Sequence, residues 1–172
     1  LAAKTDPAAG AKGVSLFLVD AATPGFTRGQ NLEKIGQHAG DTSELFFNDM
    51  RVPADALLGG VEGQGFVQMM RELPRERLII GVQAVHGAKG ALDATLKYVQ
   101  ERQAFGQPIG QFQMNQDMVA QMVTEIEAAR LMTRQAAFLR DTGQEFAIAA
   151  SMAKYFASEV SVRCATEAVQ IH

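Results

Sequence analysis

The sequence predicts an α+β chain, with a turn-rich, strand-like first part followed by an antiparallel helical bundle. Two observations predict it. The hydrophobic pattern changes near residue 58, from short apolar runs between turn formers to a 3.6-residue period. Three long periodic segments then follow one another with short connections. With 172 residues, 47% of them hydrophobic, the chain can bury one good core or two small ones.

The elements follow in order. "GVSLFLVD", Gly13 to Asp20, is a short apolar run bounded by turn formers and reads as a strand. "TSELFFNDMRVP" ends in an alternation, Met50 and Val52 against Asp49 and Arg51, which Pro53 stops. "GGVEGQGF", Gly59 to Phe66, is rich in glycine, but its glycines do not match G-x-G-x-x-G. It reads as a flexible boundary leading into a helix. The first helical face carries Leu78, Val82, Val85, Ala88, Leu92, Leu96 and Val99. A break at Phe105 to Pro108 precedes a second face, from Met118 and Met122 to Leu139, closed by Thr142-Gly143. A third face runs from Phe146 through Ala150, Ala153, Ala157, Val160 and Cys164 to Ile171, and its small residues let a neighbouring helix approach closely.

Composition excludes several classes of function. The net charge is −3, so no nucleic-acid footprint is expected. No apolar run approaches the roughly 18 residues of a membrane span. His38, His86, His172 and Cys164 are scattered without ligand spacing, so no metal site is expected. Cys164 reads as a packing residue and leaves no partner for a disulfide within the chain. The chain starts at Leu1 and stops at Ile171-His172 inside a running helix, which reads as a piece of a longer protein.

Two stretches carry candidate chemistry. In "RELPRERLIIG", Arg71 to Gly81, Pro74 is expected to begin a helical segment or kink a long one, placing Glu76 in a first turn. Glu76 is then either a general base in an apolar setting or a first-turn carboxylate that offsets the helix dipole beside solvated arginines. In "ERQAFGQPIGQFQ", Glu101 to Gln113, Arg102, Phe105 and Gln113 surround the break. They form either a turn with exposed ends or a nucleotide contact in which guanidinium meets phosphate and an aromatic ring packs on a planar one.

"ERQAFGQPIGQFQ", followed by "MAKYFASE" and "EAVQIH", resembles the acyl-CoA dehydrogenases. So does the earlier part, "GVSLFLVDAATPGF" and "NLEKIGQHAGDTSELFFNDMRVPADALLG". The likeness covers essentially the whole chain, in family order. It implies that residues 1–60 are the end of a β-barrel-like middle domain. Residues 61–172 would then be the C-terminal helical-bundle domain, with three of its four helices.

The resemblance also implies FAD as cofactor, part of it held by a neighbouring subunit. Arg102 would face its pyrophosphate, Phe105 and Gln113 would meet the adenine half, and Gly106 and Gln170 would contribute to the same cofactor. Ala104 departs from the hydroxyl residue that many relatives carry before the Phe. Glu76 matches the base position of the long-chain and isovaleryl-type branches. There it would take the α-proton of an acyl-CoA while the β-hydrogen leaves as hydride to the flavin. Leu73 and Ile80 would line the acyl side, and Arg77 would orient the CoA end or the base. Electrons would pass to electron-transfer flavoprotein. A homotetramer, as a dimer of dimers, in a bacterial cytoplasm or mitochondrial matrix is the expected setting. The rival readings are an acyl-CoA oxidase and a non-catalytic helical interaction module.

Overall fold

The computed structural model describes residues 1–172, which divide into two compact units, Leu1–Met70 and Arg71–His172. In the first unit, β1 (Ala2–Lys4) pairs antiparallel with β2 (Val14–Leu16), with Ala3 opposite Ser15. A second antiparallel pair joins β3 (Phe26–Asn31) to β4 (Ser43–Phe47), with an irregularity between Arg28 and Asn31. The rings of Phe26 and Phe47 sit opposite one another, 5.4 Å between centroids.

Three sequence expectations are corrected in this unit. The apolar run from Gly13 forms a strand only over Val14–Leu16, with one further bridge from Phe17 to Leu57. Past that bridge, Leu18 N–H leaves the β1 ladder for the carbonyl of Ala56, 2.9 Å away. The alternation at Met50 and Val52 is not a strand, although those two are half-buried between exposed neighbours. Asp49 stands at φ 48, a left-handed conformation that no strand continues through. Lastly, the glycine-rich stretch is pinned rather than free. Gly63 N–H donates to the buried Ser15 Oγ at 2.8 Å. Gly65 lies so close to β2 that a Cβ there would stand 2.9 Å from the carbonyl oxygen of Val14. Only glycine permits this approach.

In the second unit, α1 (Gly65–Glu101, whose first turns belong to the first unit), α2 (Gln113–Asp141) and α3 (Ala147–Ile171) form an up-down-up bundle. One core cluster joins Leu92 and Val99 of α1 to Met122 and Ile126 of α2 and Val160 and Cys164 of α3. A second joins Leu78 to Ala136, Ala150 and Ala153. Residues early in α1 thus meet late α2 and early α3, the pattern of antiparallel neighbours. α2 and α3 make the closest helix contact, and the residues between them explain why. Ala129, Ala136, Ala150, Ala153 and Ala157 are all fully buried and bring no bulk to the seam.

The predicted faces of α2 and α3 are the buried faces. On α1, Val82 is the exception at 40% exposure. It lines an open hollow with Ala137 of α2, whose methyl group is too short to cover it. α2 closes as expected: Gly143 takes φ 70 and donates to the carbonyl of Arg140. Burial raises the Cys164 thiol above its ordinary pKa, which keeps it a neutral packing group. No helix is long and apolar enough to cross a membrane.

Candidate functional site

Of the two expectations for Pro74, the start of a helical segment is not met, and a place within a long helix is. The proline lies inside α1, which starts at Gly65, so Glu76 stands about three turns into the helix and not in its first turn. The dipole effect expected there is therefore absent, because it fades within one turn of the end. Glu76 is exposed and forms neither an ion pair nor a side-chain hydrogen bond. Leu73 and Ile80 lie three residues before it and four after, which puts all three on one face of α1. Leu73 is half-buried and Ile80 exposed. The buried stripe of α1 passes through Leu78, Val85, Ala88 and Leu92, on the opposite side. The Glu76 face therefore looks away from α2 and α3, a carboxylate between two apolar side chains. Arg77 is not part of this face. About 100° further round the helix, its Nη1 donates to Ser151 Oγ of α3 at 3.0 Å.

The other candidates gather around the break between α1 and α2. Two short strands, β5 (Gln103–Ala104) and β6 (Gln107–Pro108), form a minimal hairpin. Its two loop residues, Phe105 at φ 51 and Gly106 at φ 81, are both left-handed, as a type I′ turn demands. Glycine accepts this freely and phenylalanine does not; a bulky residue held there carries strain on the order of 1–3 kcal/mol. The Phe105 ring is 98% exposed. Strain at a fully solvated aromatic contributes nothing to the core, and strained backbone of this kind clusters at ligand-binding and switch regions.

The hairpin is held firmly. Ile109 N–H donates to the carbonyl of Arg102 at 2.9 Å, and the Phe105 ring meets Phe112 edge-on at 6.2 Å. Phe112 caps α2, so Gln113 opens that helix beside the hairpin, its amide exposed. The Arg102 guanidinium has no ion-pair or hydrogen-bond partner. Tyr98 brings in the end of α3: its hydroxyl donates to the His172 carbonyl at 3.0 Å, and the two rings stack at 4.2 Å. Gln170 lies exposed in this last turn.

Arg102, Phe105, Gly106, Gln113 and Gln170 are thus brought to one end of the bundle. Glu76, Leu73 and Ile80 are not among them. Glu76 is separated from the end of α1 by about 38 Å at 1.5 Å per residue. No cluster of potential metal ligands occurs anywhere. Ser151 and Tyr98 escaped sequence reasoning, because each meets a partner 74 residues away and no local spacing announces such a pair.

The class the fold defines is a helical bundle with an exposed carboxylate on one face and an arginine, an aromatic ring and two amides exposed at one end. The comparisons place it more closely. Residues 63–172 match the family model for the acyl-CoA dehydrogenase C-terminal domain. Cyclohex-1-ene-1-carbonyl-CoA dehydrogenase of Geobacter metallireducens is 45% identical over 170 residues, covering 98% of this chain and 44% of that protein. The mitochondrial long-chain specific acyl-CoA dehydrogenase of Sus scrofa is 44% identical over 162 residues, covering 94% of this chain and 37% of its own length. The crystal structure of an acyl-CoA dehydrogenase from Geobacillus kaustophilus superposes with a TM-score of 0.97 at 43% identity, covering 99% of this chain and 45% of that one. The chain belongs to the acyl-CoA dehydrogenase family and carries its C-terminal helical domain. It spans less than half the length of these relatives.

Proposed function

We propose that the chain is part of a longer FAD-dependent dehydrogenase that converts acyl-CoA thioesters to trans-2-enoyl-CoA. In this reading residues 1–60 are the end of the middle β-domain and 61–172 the helical domain. The observation that carries it is the Glu76 face: in a chain of this family, α1 presents a carboxylate with no protein partner between Leu73 and Ile80. Glu76 takes the proton from the α-carbon, which the thioester carbonyl acidifies, and Leu73 and Ile80 line the acyl side. Arg77 orients the CoA end or the base. FAD, when bound, supplies the acceptor for the β-hydrogen and its electron pair. The likeness to a long-chain dehydrogenase supports acyl chains as the substrate class. Electron-transfer flavoprotein is the proposed electron acceptor. A bacterial cytoplasm or mitochondrial matrix is the proposed location, in keeping with the sources of the two relatives.

The residues at the far end of the bundle fit a flavin dinucleotide. Arg102 has a free guanidinium for a pyrophosphate, and Gln113 and Gln170 offer exposed amides. Phe105 and Gly106 form a turn that holds a bare ring in place for stacking. The distance from this end to Glu76 exceeds an extended dinucleotide, so one copy cannot apply both groups to one cofactor. This supports a homo-oligomer in which one subunit's hairpin closes on the flavin beside its neighbour's Glu76; the assembly we propose is a tetramer, a dimer of dimers.

The full-length protein should lose its visible flavin absorbance when mixed anaerobically with an acyl-CoA. A flavin that stays oxidised with every chain length tried would refute the reading. Phe105→Asn should leave the hairpin intact, since Asn-Gly suits a type I′ turn. It should weaken FAD binding by roughly 5- to 150-fold, because stacking on an aromatic ring contributes about 1–3 kcal/mol. Equilibrium dialysis would reveal this, and unchanged FAD affinity would remove Phe105 from the site.

A further inference from the structure

The turn of α1 that carries Glu76 lies between a weak point and a fixed one. Pro74 has no N–H, so the carbonyl of Met70 lacks its partner one turn on, and the backbone there is one hydrogen bond short. The two compact units divide at the same place, between Met70 and Arg71. After the proline, Leu78 is the first buried side chain of the helix, packed with Ala136, Ala150 and Ala153. Arg77 stands just before it. Its Nη1 donates to Ser151 Oγ at 3.0 Å, and that hydroxyl donates its own proton to the carbonyl of Ala147 at 2.7 Å. The serine proton is thereby committed to its own helix, and the lone pairs of Oγ are left for the guanidinium. The contact is partly buried and carries a charge on the donor, which makes it stronger than a neutral bond.

Glu76 has no such tie. Its carboxylate meets no protein group, so the direction in which it projects is set by the backbone turn it rides on. We propose that Arg77 and Ser151 are positioning residues for the Glu76 carboxylate. Their contact fixes the rotation of the turn after Pro74 against α3, and with it the aim of the neighbouring side chain. The inference rests on Glu76 being the base, and it gives Arg77 the role of orienting that base rather than the CoA end. The geometry favours this: Arg77 Nη1 reaches Ser151 on α3, away from the Glu76 face. A catalytic group displaced by about 1 Å can lose about 10²-fold in rate.

The test uses the full-length protein with FAD bound. Flavin reduction by acyl-CoA is followed by rapid mixing in Arg77→Gln, Ser151→Ala, the double variant and Ser151→Thr, with Glu76→Gln alongside. Calorimetry measures the affinity of each for the enoyl-CoA product. The reduction rate at saturating acyl-CoA should fall about 10- to 100-fold in Arg77→Gln and about 5- to 10-fold in Ser151→Ala. Product affinity should stay within about two-fold of wild type, since binding is not what the contact serves. The double variant should be no slower than Arg77→Gln, because both changes remove one interaction. Ser151→Thr keeps the hydroxyl and should restore the rate.

Ser151→Ala is the deciding variant, because alanine preserves the helix and removes only Oγ. If it reduces flavin at the wild-type rate and merely melts earlier, the contact is structural and the proposal fails. If Arg77→Gln loses product affinity but keeps its saturated rate, Arg77 holds the CoA and the proposal also fails. Should Glu76→Gln itself react like wild type, the reading of Glu76 as base is what has failed, and the positioning role falls with it. A dead Glu76→Gln beside unaffected Arg77 and Ser151 variants overturns the positioning role alone.

Discussion

Glu76→Gln in the full-length protein should bind acyl-CoA and leave the flavin oxidised, with reduction slowed by about 10²- to 10⁴-fold, the range a positioned general base supplies. Glutamine keeps the length and shape of the side chain and removes only its capacity to accept a proton. The substitution is also benign for the fold. Glu76 is exposed in mid-helix and has no partner to lose, so the melting temperature should not move. Stopped-flow absorbance under anaerobic conditions measures the rate, and calorimetry with the enoyl-CoA product checks that the site is intact. Glu76→Asp, which withdraws the carboxylate by one carbon, should fall between the two. Reduction at the wild-type rate in Glu76→Gln would mean that another group removes the proton, and Glu76 would be a solvated helix carboxylate after all.

The largest effect on stability is expected from Ala153→Leu. Ala153 has no exposed surface and lies where all three helices converge, in a cluster with Leu78 of α1 and Ala136 of α2. α1 comes close enough that a Cβ built on Gly81 would stand 3.6 Å from the Ala153 backbone. A leucine brings three more carbons to a place already filled by Leu78, Ala136 and Ala150, with the α1 backbone alongside. Overpacking of this kind costs about 1–3 kcal/mol, and the backbone contact at Gly81 puts this site at the upper end. For a chain of this size the melting temperature should drop by roughly 6–12 °C, read by circular dichroism at 222 nm on residues 1–172. Gly81→Ala is the matched control. Its Cβ would make only ordinary contacts, and alanine favours a helix interior, so the melting temperature should hold or rise. A wild-type melting point for Ala153→Leu would show that the helices separate more easily than their packing implies.

Much of this fold was legible from residue spacing. The second and third helical faces are the buried faces, and the Thr142-Gly143 stop and the break at Phe105 stand where turn chemistry puts them. Periodicity reports how a segment must bury itself, and a left-handed residue is required at a helix end or a tight hairpin whatever surrounds it. Legibility was poorer in the first part. Gly13 to Asp20 and Asp49 to Val52 have strand-like composition, but their pairing is decided by partners elsewhere and by the left-handed turn at Asp49. Glu76 was misplaced by about three turns because a proline that starts a helix and one inside a helix look alike in sequence.

The sequence by itself determined the α+β class, the three helices and their buried stripes, and the set of residues able to do chemistry. Those follow from properties each segment carries with it: hydrophobic period, turn preference and side-chain type. Only the tertiary structure decided that Arg77 turns to Ser151 while Glu76 faces away from the bundle. It alone placed Phe105 fully exposed on a strained turn, and Gln170 beside the α1 end through Tyr98. These are relations between groups as much as 74 residues apart. They exist only once the core has set the rotation and register of each helix, which no local preference specifies.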